Sequence, residues 1–382
     1  MRHLIIEQNE VFDQRQVDRI QDRLQTLPFV ELTDSVRVRF RYDRAYVELP
    51  LRTPPSSQFD ALIGFLPNEA EGQRLLLTGR AEIDLKNPFG RGRQIALSWQ
   101  RIRAETQQLN LAFEQPSVFG TRLTPRFELD WLKEDTTFFS LRQYLRVSYP
   151  TKQGSFGGIV ERKMTRLLAA PNSGRSNEID GNLWNYGVSW SGNRTDRFFQ
   201  PRKGWRWHLE AKIGDKQVQD RSGLSDNFLD SLAQRTTQIE LRLDLRRYLR
   251  MGRLTTLVLR TQGGMLLNEQ LFRNDLFRMG GLRSLRGFNE NFFFASQYAV
   301  QTVETRLQID QDSYLFAFWD QAAYTFETLE DRRDDFPFGV GVGLQFTTKS
   351  GVFSFVYAMG RSAEQTLGLN TAKIHFGFVS RF

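Results

Sequence analysis

Cysteine is absent from this chain, and histidine occurs only three times in its 382 residues. Without thiols the sequence has no disulfides, no thiolate metal ligands and no cysteine nucleophile. His3, His208 and His375 lie far apart and lack the HExxH spacing of a zinc-binding helix. P-loop and GxSxG motifs are missing as well. We therefore expect a protein that is not an enzyme and that holds no metal and no cofactor.

Long hydrophobic runs are also missing. Segments such as 315–319 extend over about five apolar residues, whereas a membrane-spanning helix needs roughly 18. The first residues, 1–7, do not contain the apolar core of a signal peptide. We expect no membrane helix, and the front of the chain fits three interpretations: a mature protein, a shortened one or a cytoplasmic one.

Aromatic residues, in contrast, are abundant for so polar a sequence. They make up 13% of a chain whose mean hydropathy is −0.47. Disordered chains are poor in aromatics, so we expect an ordered protein. The net charge of +8 comes mostly from arginines that are interleaved with acids rather than clustered. A nucleic-acid face would form a basic patch or stripe, so no nucleic-acid partner is expected.

Apolar and charged residues alternate from about residue 60 to the end. In one segment the residues at 205, 207, 209, 211 and 213 are apolar, while those at 206, 208, 210 and 212 are charged or histidine. Successive side chains of a β-strand point to opposite faces, so each such strand has one apolar and one charged face. Sixteen strands of this kind are predicted, near 60–66, 74–85, 93–103, 106–114, 124–134, 137–149, 154–164, 183–193, 204–214, 235–249, 253–264, 297–309, 313–324, 338–348, 351–359 and 373–382.

The connections between these strands differ in length from one side to the other. Long polar stretches follow several odd-numbered strands, and short turns such as 87–92 follow most even-numbered ones. This asymmetry is typical of an outer-membrane barrel. Several strands also reach the length that a tilted membrane-spanning strand needs. An even number of strands can close without leaving an edge.

Aromatic residues near strand ends add to this interpretation. Trp131, Trp205, Phe138 and Tyr149 are placed where interfacial girdles are found. The alternation by itself fits a soluble all-β protein equally well. Strand length, aromatic placement and strand number favour an all-β, sixteen-stranded antiparallel transmembrane barrel over residues 59–382.

Residues 1–53 have a different pattern. Gln14–Leu27 has Val17, Ile20 and Leu24 at helical spacing, and two strands are predicted near 29–42 and 44–51. Residues 54–58, which include two prolines and two serines, form a hinge. We expect a small α+β segment that leans on the barrel or on a partner, because so short a unit has little core of its own.

A motif between predicted strands 11 and 12 carries a family resemblance. Residues 279–288 are MGGLRSLRGF, and the Leu285-Arg286-Gly287-Phe288 element with its preceding glycines resembles the loop-six signature of the outer-membrane barrel-assembly and two-partner-secretion superfamily, the BamA, TamA and FhaC type. The ordinal position of the loop agrees with that family.

Other elements share this resemblance and extend it over nearly the whole chain. Residues 318–322 resemble the aromatic-x-Asp-x-Gly element of the family, with Ala322 where glycine is usual. The turn at 87–92 and Asp196 followed by Pro-Arg-Lys-Gly at 201–204 also resemble family elements. The C-terminal alternation ending in Phe382 is similar to the β-signal of outer-membrane barrels, although Ser380 departs from it. Residues 14–53 look like the last part of a POTRA domain whose front is missing.

The resemblance implies two functional regions. In the first, Arg286 pairs with Asp320 inside the lumen; Glu304, which shares the polar face of its strand with Thr302 and Arg306, is a second candidate acceptor. The planar guanidinium suits bidentate pairing with a carboxylate. In a wet lumen such a pair contributes only about 1 kcal/mol, so it is expected to position the loop.

The second region is the seam between strands 1 and 16, which the resemblance implies could open to a client strand. Its residues are Gly64, Phe376, Gly377, Phe378 and Phe382. Glycine within a strand weakens it. A permanently closed seam with two ordinary glycines is the alternative interpretation.

The predicted function is insertion or assembly of outer-membrane proteins, or protein translocation, in the bacterial outer membrane. Partners would be the lipid bilayer, client outer-membrane or secreted polypeptides, and periplasmic or surface proteins. The alternative is a channel or an anchor barrel of a larger protein, for example behind a patatin-like hydrolase. We expect the front of the chain to have been processed or truncated.

Overall fold

The computed structural model of the protein describes most of the chain. The described residues are 11–15, 17–18, 20, 30–53, 56–67, 75–90, 92–103, 105–168, 177–197, 200–219, 226–310, 313–348 and 351–381. None of the described helices is long and apolar enough to cross a membrane.

Sixteen antiparallel strands close into a barrel, in which each strand pairs with the next along the chain and the last pairs with the first. This confirms the predicted fold class and strand number. The strands are β1 (Gln58–Pro67), β2 (Leu75–Lys86), β3 (Gln94–Arg101), β4 (Gln107–Glu114), β5 (Thr124–Glu134), β6 (Phe138–Thr151), β7 (Gly154–Leu167), β8 (Gly181–Thr195), β9 (Gly204–Val218), β10 (Arg235–Arg250), β11 (Thr255–Leu267), β12 (Gln297–Gln308), β13 (Tyr314–Glu327), β14 (Phe338–Thr348), β15 (Gly351–Arg361) and β16 (Lys373–Arg381).

Alternation of the side chains separates the two faces of the wall. Val188 and Ile213 point outward and are 64% and 55% exposed, as expected of residues that face lipid. Lys212 points inward and is buried, with its Nζ 2.9 Å from carboxylate oxygens of both Glu161 and Glu240. The charged residues of the alternating sequence thus line the lumen, where cations and carboxylates neutralise one another.

One predicted girdle residue is inside the barrel instead. Phe138 is the first residue of β6 and is buried, with the guanidinium of Arg278 5.6 Å from its ring. The outward residues of β6 are the odd-numbered ones, such as Leu145 and Tyr149, so the parity of the strand turns Phe138 inward. The girdle assignment of Phe138 was therefore wrong. Trp205 and Tyr149 are exposed on the outer face.

Short turns close one end of the barrel. In the turn after β2, Asn87 has a positive φ of 60° and its Oδ1 accepts the Gly92 N–H at 2.8 Å. In the turn before β9, Asp196 Oδ1 accepts the backbone N–H groups of Arg202 and Lys203 at 2.9 and 3.1 Å. These contacts give a physical role to the asparagine and aspartate of the two motifs.

Longer loops cover the other end. The short helix Asp226–Asp230 belongs to one of them, and Leu229 packs there with residues of two other loops, Ile179 and Phe272. The short strand Arg332–Asp335 pairs with the last four residues of β13, 324–327. One-turn 3₁₀ helices occur at Val118–Gly120 and Leu369–Thr371.

The N-terminal segment contains two small sheets. Arg37–Arg41 pairs with Arg44–Glu48, and Glu31–Leu32 pairs with Leu51–Arg52. Among the residues of Gln14–Leu27 that the structure describes, Val17 and Ile20 are helical and buried against Val38 and Val47, among others. Leu24 and the rest of that predicted helix from residue 21 onward lie outside the described residues.

Candidate functional site in the lumen and at the seam

The connection between β11 and β12, residues 268–296, is here called loop 6. Within it the strands Phe277–Met279 and Phe293–Ala295 form a hairpin. The hairpin carries an apolar core inside the barrel, composed of Met279, Leu285, Phe288, Phe293 and Ala295 with Val300 of β12 and Ala322 of β13. The loop is therefore folded into the lumen and packed against its wall.

Arg286 lies at the tip of this packed segment and contacts two carboxylates. Its Nε and Nη2 donate to the two oxygens of Asp320 at 2.7 Å each, which is a bidentate pair. Its Nη1 donates to Glu304 Oε2 at 2.6 Å. The backbone N–H of Arg286 also donates to Asp320 Oδ2, at 3.2 Å. Both acceptors that the sequence suggested thus contact the same guanidinium.

The pair is buried, unlike the solvated pair expected from the sequence. Arg286 is 9% exposed and Asp320 is fully buried. Glu304 is neutralised a second time by Arg306, whose Nε lies 2.8 Å from Glu304 Oε1. Burial lowers the pKa of Arg286, but the hydrogen bonds and negative charges of Asp320 and Glu304 outweigh it and raise that pKa above its ordinary value. Removing one partner of such a buried set costs about 3–5 kcal/mol rather than about 1 kcal/mol.

Three residues whose contact with loop 6 the sequence did not predict complete the seat of Arg286. The ring of Phe318 lies under the guanidinium, with 3.4 Å between Arg286 Cζ and the ring centroid. A Cβ added at Gly339 of β14 would collide with the Arg286 carbonyl oxygen. One added at Gly360 of β15 would lie 2.6 Å from the Phe288 ring. These two glycines therefore let the loop approach the wall closely.

The backbone conformation at position 287 requires glycine. Its φ is +93°, in the region that favours glycine, and a Cβ there would lie 2.5 Å from the Met359 carbonyl carbon. Gln365, in the loop between β15 and β16, donates through Nε2 to the carbonyl oxygens of Gly287 and Gly360, both at 3.0 Å. The turn is thus fixed to β15 by close packing and by a shared amide donor.

A second attachment holds the beginning of loop 6. Lys163 of β7 donates to the Asn274 carbonyl oxygen at 2.8 Å. Lys216 of β9 donates to the Gln270 carbonyl oxygen at 3.1 Å and forms an ion pair with Asp275. Sequence reasoning missed both lysines, because alternation places them in the lumen without showing what they contact there.

Loop 6 also reaches the opposite wall. Arg283 Nη2 lies 2.8 Å from Glu82 Oε2 of β2. Glu290 Oε1 accepts the Leu282 N–H at 3.0 Å, and burial raises the pKa of the Glu290 carboxyl. Beside Arg283 a polar cavity of about 440 Å³ remains between the loop and β2–β5, lined by side chains that include Glu82, Gln108 and Arg126. Loop 6 therefore spans the lumen and leaves this part open.

The predicted seam residues lie where β16 meets β1. Phe376 and Phe378 pair in register with Ile63 and Ala61, and the backbone of Gly64 is opposite His375. A Cβ at Gly377 would make only ordinary contacts, at 3.5 Å or more, so steric crowding does not require this glycine. Phe382 lies outside the described residues.

The seam ladder is short. Among the described residues, 375–381 of β16 pair with β1 and 373–379 pair with β15, seven residue pairs in each ladder, one fewer than the eight between β3 and β4 or between β4 and β5. In contrast, residues 181–195 of β8 pair with 204–218 of β9 along their full length. Metal ligands play no visible part in either region: no group of three or more His, Asp or Glu side chains among the described residues is arranged to hold an ion.

Comparison with solved structures shows the same fold in distant proteins. BamA from Haemophilus ducreyi lacking POTRA domains 1–3 is 14% identical with a TM-score of 0.56, over 100% of this chain and 81% of that one. CdiB from Escherichia coli is 13% identical with a TM-score of 0.64, over 100% and 73%. CdiB from Acinetobacter baumannii is also 13% identical, with a TM-score of 0.63 over 100% and 70%.

The family comparison is more specific than the likeness of fold. None of the curated proteins matches the sequence significantly. The model of the Omp85 superfamily domain matches residues 87–382, which include β3–β16 and the whole of loop 6. The chain therefore belongs to the Omp85 superfamily and is a β-barrel protein of the bacterial outer membrane.

Proposed function

We propose that the protein inserts or translocates polypeptides at the outer membrane, with the seam between β1 and β16 as the place where a client strand pairs. The short ladder on both sides of β16 is the observation that carries this proposal. Opening one side of β16 breaks fewer backbone hydrogen bonds than opening the β8–β9 ladder would. The exposed edge would offer donors and acceptors to an incoming strand, which is recognition by β-augmentation.

Loop 6 would act as an internal clamp that keeps the rest of the wall rigid. Arg286 joins the loop to β12 and β13 through Glu304 and Asp320, and Gly287 lies against β15. Lys163 and Lys216 attach the same loop to β7 and β9. Movement would then be confined to the strand pair at the seam. The proposed role is one of binding and positioning, without a chemical step or a cofactor.

The N-terminal segment is proposed to be the final part of a POTRA-like unit over 1–53, joined by a hinge at 54–58 to the barrel at 59–382. The helical residues packed on the small sheets support this assignment. Such a unit would pass client polypeptides, or a periplasmic or surface partner that holds them, toward β1.

Reconstitution tests the function directly. Liposomes containing the protein should fold an unfolded outer-membrane barrel client at least about tenfold faster than empty liposomes, measured by its heat-modifiable mobility on gels. Liposomes with an unrelated sixteen-stranded porin are the control for bilayer defects. Equal rates in all three preparations would contradict the proposal.

A channel, or the anchor module of a larger protein, is the second candidate, and the lumenal cavity of about 440 Å³ favours it. Single-channel recording separates the two functions. A steady open conductance without acceleration of client folding would support the channel, whereas a mostly closed lumen with accelerated folding would support insertion.

A further inference from the structure

The outward wall of β6–β8 contains two arginines at positions that face lipid. Along β7, Ile159, Glu161 and Thr165 are buried on the inner side. Because side chains alternate, Arg162 and Arg166 share the outer face with Phe156 and Val160, which are 49% and 40% exposed. This part of the wall lies away from the seam, since β7 is separated from β16 and β1 by several strands on either side.

The height of the two arginines follows from the geometry of the strand. Phe156 lies near the short-turn end and stacks on Trp190 of β8, with 5.9 Å between the ring centroids, as in an interfacial girdle. A strand rises about 3.3 Å per residue, and a tilt of about 40° reduces the vertical rise to about 2.5 Å. Arg166, ten residues later, lies about 25 Å above the girdle, which is the height of the apolar band. Arg162 lies about 15 Å above it, and its long side chain can extend toward the boundary.

Neither arginine has a carboxylate partner among the described residues, and Arg166 is exposed. The Arg162 guanidinium lies 5.4 Å from the Trp184 ring centroid, and its Nε is buried without a hydrogen-bond partner. Asn182 Oδ1, on the same outer face of β8, is likewise buried and unpartnered. By comparison, Asp215 of β9 and Arg235 of β10 form an ion pair at 3.6 Å.

We propose that Arg162 and Arg166 bind the phosphate of an anionic glycolipid in the outer leaflet. A cation on the lipid face is destabilising near the midplane, and a phosphate drawn to it would offset that cost. The guanidinium fork matches phosphate oxygens. The site lies on the side of the long loops, which is the outer surface in barrels of this kind. Lys133 of β5 is in register with Arg166 through Phe139 of β6, which lies between them, and adds positive charge to the site. Glu105 lies 3.1 Å from the Lys133 Nζ.

The test uses the full chain in a neutral detergent and native mass spectrometry, with diphosphorylated lipid A as the probe. The double variant Arg162→Gln/Arg166→Gln should bind the lipid at least about tenfold more weakly, because it loses the charge-assisted contacts of both guanidinium groups. The matched control is Arg194→Gln/Arg247→Gln, which removes two cations near the indole rings of Trp207 and Trp205 at the other end of the wall. The control should bind like the unmodified protein.

Two further measurements distinguish the ligand from its phosphate. Dephosphorylated lipid A should bind the unmodified protein no more tightly than it binds the double variant. Inorganic phosphate should not compete with diphosphorylated lipid A at concentrations near those of the lipid. The single variant Arg166→Gln changes only an exposed side chain, so it tests the site even if the double variant folds poorly. Undiminished binding of diphosphorylated lipid A by the folded Arg166→Gln and double variants would overturn the proposal. Equal binding of dephosphorylated and diphosphorylated lipid A by the unmodified protein would also overturn it. Either result would leave a protein partner or nonspecific lipid contact as the explanation.

Discussion

Arg286 is a charged residue that behaves like a part of the core. Its guanidinium has two carboxylate partners and an aromatic ring beneath it, and the surrounding wall excludes solvent. A buried charge without partners would destabilise the protein. The Arg286 guanidinium is tolerated because both carboxylates are present beside it. The loop is therefore held by a group whose removal leaves Asp320 and Glu304 without their shared cation.

Arg286→Ala should release loop 6 while leaving the barrel closed. The buried set loses about 3–5 kcal/mol of local stability, so the loop should open roughly 100- to 4000-fold more often. Limited proteolysis of the folded protein in detergent measures this as faster cleavage within 268–296, and heat-modifiable mobility reports the barrel. Gly339→Ala, which blocks the seat of the loop without removing a charge, should give the same result.

The control for this experiment is Arg283→Ala, because Arg283 is 60% exposed and its ion pair with Glu82 contributes about 1 kcal/mol or less. Its cleavage rate should remain close to that of the unmodified protein. If Arg286→Ala and Gly339→Ala were as resistant to protease as Arg283→Ala, the clamp would have to lie elsewhere in the loop.

How far the sequence could predict this site depended on the kind of contact. The candidate acceptors came from a family motif and from strand parity, both of which are local properties of the chain. Phe318 was part of the motif at 318–322, but its contact with Arg286 was not predicted, and Gly339 and Gly360 were not singled out. Their roles depend on how three neighbouring strands approach one loop in space. The burial of the set was also missed, since alternation shows which side chains face the lumen but not what fills it.

Strands were the elements that the sequence predicted best. Period-two alternation is a property of each strand alone, so all sixteen were found at nearly their observed positions. The main differences are at the ends toward the long loops, where β9 extends four residues beyond the prediction, β7, β11 and β13 three each, and β8 two. There the ladder continues through polar residues such as Arg166 and Asn182, which lie outside the predicted strands. Tertiary pairing, and not local composition, sets those boundaries.

A cation on the lipid-facing side of a strand should destabilise the barrel wherever no anionic group lies close to it. Leu243→Arg on β10 places a cation on the lipid side of the wall and should cost about 2–4 kcal/mol near the midplane. The measurement is the midpoint of urea unfolding in vesicles, together with folded yield.

Gln108→Arg is the matched control for this prediction. Gln108 of β4 lines the polar lumenal cavity of about 440 Å³ together with Glu82 and Asp130, so an added cation there stays in a polar space with room for it. This variant should remain within about 1 kcal/mol of the unmodified protein. Equal midpoints for Leu243→Arg and Gln108→Arg would contradict the assignment of the two faces.

At the scale of the whole molecule, a loop that contacts six strands lies inside a wall whose two shortest described ladders are those of β16. Loop 6 connects β2, β7, β9, β12, β13 and β15 across the lumen. β16 shares short ladders with both of its neighbours. This arrangement would let one strand pair open while the rest of the barrel keeps its shape. The position of the seam was predicted from the sequence, but the length of its ladder was not, since that length is decided by how the first and last strands meet after closure.

Locking the seam tests this account most directly. Ala61 and Phe378 are opposite each other in register, and the absence of native cysteine makes an Ala61→Cys/Phe378→Cys disulfide unambiguous. Val188→Cys/Ala211→Cys, across β8 and β9, is the matched control. The measurement is the rate of client folding in liposomes, before and after reduction. We expect the oxidised seam variant to fall to the rate of empty liposomes and to recover on reduction, with the control unaffected; full activity from a completely cross-linked seam would contradict the central claim.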